Sequence, residues 1–128
     1  MKRTFAALFA LVVLAGCATF SIPNPVSDTR FASIESTYGV ALSAAANYRD
    51  LYRTNRCTTS RPESIANICA RRSVVKQMQV ADQQAQVALG QARAFHTANP
   101  TLDATSFLDA AERAVNTFLS ISTQSRGP

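Results

Sequence analysis

The fold class follows from residues 31–52, FASIESTYGVALSAAANYRDLY, in which apolar side chains recur at alternating intervals of three and four residues. The repeat consists of Phe31, Ile34, Tyr38, Ala41, Ala45, Tyr48 and Tyr52. Such a heptad-like stripe predicts an amphipathic helix that packs in coiled-coil fashion. Ser27 or Asp28 is the expected cap. The helix should end near Asn55, after about 28 residues or about 40 Å.

A second periodic segment follows a proline. Ser60-Arg61-Pro62-Glu63 matches a capping box, with serine three residues before glutamate and proline in the first turn. A helix is therefore expected to start there and to run to about Ala98, as the longest element at about 55 Å. Its early face should hold Ile65, Ile68 and Val75. The stripe that follows comprises Val74, Met78, Ala81, Ala85, Ala88, Ala92 and Phe95.

A third helix is expected after Asn99-Pro100-Thr101, with Thr101 as its cap and Asp103 against its positive end. Its wide apolar stripe comprises Phe107, Ala111, Ala114, Phe118 and Ile121, flanked by Leu108, Val115 and Leu119. Short joints make consecutive helices antiparallel, so we predict an all-α, up-down-up three-helix bundle over residues 28–128, frayed at 125–128. Alanine at many seam positions predicts a thin core and argues against an internal cavity.

The N-terminal segment has the layout of an export signal. Lys2 and Arg3 precede an apolar run that ends in Ala15 and Gly16. The run is about half of the roughly 20 apolar residues that a transmembrane helix needs, so a permanent membrane span is the weaker interpretation. The residues Leu14-Ala15-Gly16-Cys17 resemble the lipobox of bacterial lipoproteins.

This resemblance implies that residues 1–16 are a signal peptide and that Cys17 is the lipidated N-terminus of the mature chain. Its thiol would carry diacylglycerol and its amine usually a further acyl chain such as palmitate, enough for stable membrane anchoring. Residues 17–27, which contain Pro23 and Pro25, are expected to be a tether. Ala18 replaces the aspartate that commonly retains lipoproteins at the inner membrane. The expected location is therefore the periplasmic face of the outer membrane, or the outer face of the plasma membrane in a Gram-positive cell.

The two remaining cysteines, Cys57 and Cys69, form an even pair in an exported chain, which favours a disulfide. Such a bond would clamp the hairpin of the first two helices, with Cys69 about two turns into the second helix. The alternative is two independent thiols, with Cys69 a small buried apolar residue.

Positive charge is concentrated between residues 49 and 76, where the sequence has seven cationic residues and only two acidic ones, Asp50 and Glu63. We call these cations the basic tip: Arg49, Arg53, Arg56, Arg61, Arg71, Arg72 and Lys76. They would contact an anionic partner such as peptidoglycan carboxylates or an acidic protein, or else form a solvated loop. Tyr38, Tyr48 and Tyr52 could form an aromatic binding surface, but their seam spacing favours the core, with hydroxyl groups at its rim.

Catalytic constellations are missing from the sequence. His96 is the single histidine, Asp109 and Arg113 are spaced as a helix surface pair, and there is no phosphate loop, metal-binding motif or nucleic-acid module. We therefore expect a protein that is not an enzyme and binds no cofactor or metal beyond the lipid on Cys17. The leading hypothesis is a structural or protein-interaction element of the cell envelope. The alternatives are an accessory subunit of a secretion, conjugation or phage-lysis machine, or a helical carrier of an apolar ligand.

Overall fold

Three helices account for most of the computed structural model, which describes residues 25–64 and 66–124. Helix α1 spans Pro25–Thr54, α2 spans Arg72–Ala98 and α3 spans Thr105–Gln124. The described part does not include residues 1–24, Ile65 or residues 125–128. The predictions of a signal peptide, a lipidated Cys17 and a frayed C-terminus fall on these residues. No helix within the described residues is long and apolar enough to span a membrane.

Contacts between the helices establish the predicted up-down-up topology. His96 near the end of α2 lies 2.6 Å from Asp28 near the start of α1, whereas Tyr48 late in α1 reaches Arg71 just before α2. Helices α1 and α2 are therefore antiparallel. Arg30 contacts Asp109 and Glu112 in the first half of α3, so α3 runs parallel to α1. The third helix packs extensively against both others, while α1 and α2 contact each other less.

The core confirms the predicted stripes in most positions. All seven predicted α1 residues are buried or packed against the core, and Tyr38 stacks at a tilt on Phe118 with ring centroids 5.9 Å apart. The tyrosines therefore belong to the core, as expected. In α2, Leu89 is buried at 5 % exposure, a position that the alternating repeat did not include. The most buried α3 residues are Leu108, Ala111, Val115, Phe118 and Ser122.

The start of α1 differs from the prediction because the helix includes Pro25 and Ser27, which were assigned to the tether. Proline is well tolerated in the first turn of a helix, where the missing N–H would have no intrahelical partner. Asp28 also lies in this first turn, where a negative charge is favourable. The tether prediction is therefore wrong for residues 25–27.

The start of α2 was also predicted wrongly, by about twelve residues. Ser60, Pro62 and Glu63 lie in an irregular segment, and α2 begins only at Arg72. With 30 residues against 27, α1 and not α2 is the longest element. Ile68 is 63 % exposed and so does not lie on a buried helix face. The C-terminus of α2 at Ala98 agrees with the prediction.

The cap of α3 is another correction. The helix begins at Thr105, and Thr101 precedes it in an exposed turn. Asp103 takes the capping role, because its Oδ1 accepts hydrogen bonds from the Thr105 backbone N–H at 2.8 Å and from the Thr105 hydroxyl at 2.5 Å. These bonds to its charged form lower the pKa of Asp103. The expected position of Asp103 at the positive end of α3 is confirmed.

Candidate functional site

The loop between α1 and α2 is closed at its neck by covalent and backbone bonds. Cys57 and Cys69 are joined in the expected disulfide, with their Cα atoms 5.0 Å apart. Beside it, the Cys57 N–H donates to the Ala70 carbonyl at 3.0 Å, and the Ala70 N–H donates to the Asn55 carbonyl at 2.9 Å. Cys69 is 1 % exposed. It lies in the loop, so the prediction that it belongs to the second helix is wrong. The bond therefore closes the loop onto itself.

Two tight turns brace the interior of this loop. Thr58 and Arg61 exchange backbone hydrogen bonds of 3.1 Å, and Ser64 and Asn67 exchange bonds of 3.0 and 3.1 Å. The Asn67 side-chain amide also donates to the Pro62 carbonyl at 3.0 Å. These bonds use the backbone groups that a helix starting at Ser60 would have needed.

All seven cations of the basic tip are exposed and lie at the same end of the bundle. This end is opposite the start of α1, the point at which the chain enters the bundle from its N-terminal segment. Helix α1 has 30 residues and separates the two ends by about 45 Å at about 1.5 Å per residue. The prediction that these residues form one surface agrees with their placement. Whether that surface binds anything stays a prediction.

Only two of the seven cations have a carboxylate partner among the described residues. Arg53 lies 3.6 Å from Asp50, and Arg71 lies 3.1 Å from Glu63. Arg56 packs over the Tyr52 ring, with its guanidinium carbon 4.6 Å from the ring centroid. Arg56 and four further cations have no carboxylate partner in the part of the chain that the structure describes, the four being Arg49, Arg61, Arg72 and Lys76.

The N-terminus of α2 lies within this cationic surface. Arg71 occupies the cap position without a side-chain cap hydrogen bond, and the first turn contains no acidic residue. Because the helix dipole disfavours cations at this end, Arg71 and Arg72 oppose helix stability, typically by about 0.3–1 kcal/mol for each exposed charge. Tyr48 partly compensates, since its buried hydroxyl accepts a 2.9 Å hydrogen bond from the Arg71 backbone N–H. Arg71 is paired with Glu63 of the loop, whereas the fold does not account for Arg72 at this position.

At the opposite end of the bundle, charged side chains form ion pairs between helices. Arg30 of α1 binds Asp109 at 2.5 Å and Glu112 at 2.6 Å, and these hydrogen bonds, led by Glu112, raise the pKa of the guanidinium. Arg93 of α2 forms an ion pair with Glu35 of α1. Asp109 thus pairs across helices with Arg30, and not with Arg113 as its spacing suggested. The sequence pattern within one helix carries no signal for such pairs.

Comparison with protein families identified the N-terminal segment. The model of the prokaryotic membrane lipoprotein lipid attachment site matches residues 1–18, a segment in which Cys17 is the one cysteine. Searches of curated proteins and of solved structures gave no significant match. The chain is therefore a membrane-anchored bacterial lipoprotein of the cell envelope, and the lipobox resemblance is confirmed.

Proposed function

We propose that this lipoprotein is a non-catalytic interaction element of the envelope, which holds its basic tip toward an anionic partner. That partner is peptidoglycan carboxylate or an acidic protein surface. The observation that carries the proposal is the placement of the tip about 45 Å along α1 from the end at which the lipidated segment joins. The proposed role requires no cofactor or metal besides the covalent lipid on Cys17.

The charge pattern supports an interaction more than a merely solvated loop. Five tip cations lack a carboxylate partner among the described residues, and two arginines lie at a helix end that disfavours them. Such a local cost to stability is common where function and not folding selects the residue. The loop that carries these cations is closed by a disulfide and braced by turns, so the surface is ordered before binding.

We further propose the outer membrane, on its periplasmic side, as the site of anchoring. Ala18 follows the lipidated cysteine in place of the aspartate that commonly retains lipoproteins at the inner membrane. Fractionation of inner and outer membranes tests this location. A Cys17→Ser variant should lose palmitate labelling, whereas unchanged labelling would contradict anchoring at Cys17.

Binding by the tip is tested by co-sedimentation with isolated cell wall and by pulldown after crosslinking in intact cells. Changing Arg53, Arg56, Arg71 and Arg72 together to glutamine should abolish most binding, while the matched change to lysine should retain it. Binding should also weaken from 0.1 M to 1 M salt, as the screening length falls from about 10 Å to about 3 Å. Equal binding by the glutamine variant at low salt would refute the proposal. Proteins recovered in the pulldown would assign the chain to a particular envelope machine.

A further inference from the structure

A groove of about 350 Å³ lies between α1 and α2, next to the basic tip. Its apolar lining includes Leu42, Ala46, Val75 and Met78, with Phe118 of α3 at its base. This space remains because α1 and α2 pack less closely against each other than either packs against α3. The alanine side chains in its lining are also too small to fill it. The volume lies within the range of about 300–1,000 Å³ that is typical of small-molecule sites. The expectation from sequence was the absence of an internal cavity, whereas this space is an open groove at the surface of the bundle.

The two ends of this α1/α2 groove differ in charge. Arg49 lines the end near the tip, and its side chain has no partner among the described residues. Asp82 lines the other end, where it accepts a 2.6 Å hydrogen bond from the Tyr38 hydroxyl and a 3.1 Å bond from Gln86. A ligand with one anionic end would therefore place that end at Arg49, and its apolar part would lie along the groove toward Asp82.

We propose that the α1/α2 groove binds a single acyl chain with an anionic head group, such as a fatty acid or a lysophospholipid. A partner helix is less suitable. The groove follows α1 for only eight residues, from Leu42 to Arg49, or about 12 Å, so a helix of about 10–12 Å diameter could lay only about two turns along it. The proposal does not rest on binding by the basic tip, because only Arg49 belongs to both.

The direct test is a titration of the folded mature domain with dodecanoate below its aggregation concentration, followed by isothermal calorimetry. Dodecyltrimethylammonium has the same chain with a cationic head and serves as the charge control. Dodecanoate should bind at least about tenfold more tightly than the cation. Absence of dodecanoate binding, or equal binding of both amphiphiles, would overturn the proposal. A parallel titration with lysophosphatidylglycerol distinguishes a phospholipid head group from a free carboxylate.

Two variants locate the ligand. Ala46→Trp fills the groove from an exposed position and should abolish dodecanoate binding, while circular dichroism verifies that the bundle is folded. Arg49→Gln should weaken dodecanoate binding about tenfold but should not weaken binding of the cationic amphiphile, because it removes a like charge. The matched control is Arg53→Gln, which removes a neighbouring cation outside the groove and should bind dodecanoate normally. Unchanged affinity of Ala46→Trp would show that dodecanoate binds elsewhere and refute the groove. Since the four-arginine glutamine variant retains Arg49, its dodecanoate binding should persist even if wall binding is lost.

Discussion

Removal of the Cys57–Cys69 disulfide should destabilise the domain without changing its helices. The bond joins residues twelve positions apart, so it closes a ring of thirteen residues. In the chain-entropy account, restricting a ring of this size in the unfolded state stabilises the fold by about 3 kcal/mol. Native domains are stable by about 5–15 kcal/mol in total, so this bond supplies a large share.

The measurement is urea unfolding of the oxidised protein, the reduced protein and the Cys57→Ala/Cys69→Ala variant. With an m-value near 2 kcal/mol per molar, a loss of about 3 kcal/mol lowers the midpoint by about 1.5 M. Far-ultraviolet circular dichroism before unfolding should be unchanged, because the helices are held by their seams and the bond lies in the loop.

Comparison of the reduced and substituted proteins separates two effects. Reduction removes the crosslink but keeps the buried Cys69 side chain, whereas the double substitution also removes its packing. The variant should therefore unfold at a somewhat lower urea concentration than the reduced protein. Coincident unfolding curves for oxidised and reduced protein would refute the reasoning and show that the backbone bonds at the neck alone restrain the loop.

Three further changes test the core, a cap and a buried hydroxyl. Phe118→Ala should lose about 3–5 kcal/mol of unfolding free energy in urea, since this ring is 1 % exposed, and a loss below 1 kcal/mol would contradict its central position. Asp103→Ala should lower the urea midpoint more at pH 7 than at pH 2, because hydrogen bonds from Thr105 lower the pKa of Asp103. The carboxylate therefore stabilises α3 above its ordinary pKa of about 3.9, and this contribution is lost as the pH falls through the lowered value. Equal effects at both pH values would exclude the cap. Burial and then Asp82 raise the pKa of Tyr38, so stability should fall as the pH rises above about 10, more in the original protein than in Tyr38→Phe. Identical alkaline unfolding profiles would refute this assignment.

The helical stripes were predictable because they depend on spacing within one segment. Ile34, Ala41 and Tyr48 recur along one face of α1, and no other part of the chain is needed to find them. The end of α2 was similarly local, since Pro100 follows it and the Asn99 N–H donates to the Phe95 carbonyl at 2.9 Å. Periodicity and helix-stop residues thus fixed both the fold class and the number of helices.

The start of α2 was not predictable from local signals, because bonds between distant residues replace the helix there. The Ala70 N–H, which a helix would direct to a residue four positions earlier, instead donates to Asn55. Glu63, expected to complete a capping box with Ser60, pairs with Arg71. A pattern of four residues cannot reveal a competing partner elsewhere in the chain.

The groove and the charge pairs depend on the relative rotation and height of whole helices. Leu42 and Met78 line one space only because α1 and α2 meet at a particular register, and Arg30 finds Asp109 across a sequence separation of 79 for the same reason. Alanine spacing predicted close approach correctly for α3 against its neighbours but not for α1 against α2. These features required the structure.

The charged side chains at the two ends of the bundle have different roles. At the end where the lipidated segment joins, arginines of α1 and α2 are engaged by carboxylates of other helices, as in Arg30 with Asp109 and Glu112. At the tip, the disulfide, the backbone bonds and the Tyr48 hydroxyl hold the elements without a cationic side chain. The Arg71 side chain adds one ion pair between the start of α2 and Glu63 of the loop. Because the two ion pairs of the tip, Arg53 with Asp50 and Arg71 with Glu63, are exposed, they add little to stability. Neutralising Arg53, Arg56, Arg71 and Arg72 should therefore alter binding while leaving the three helices in place.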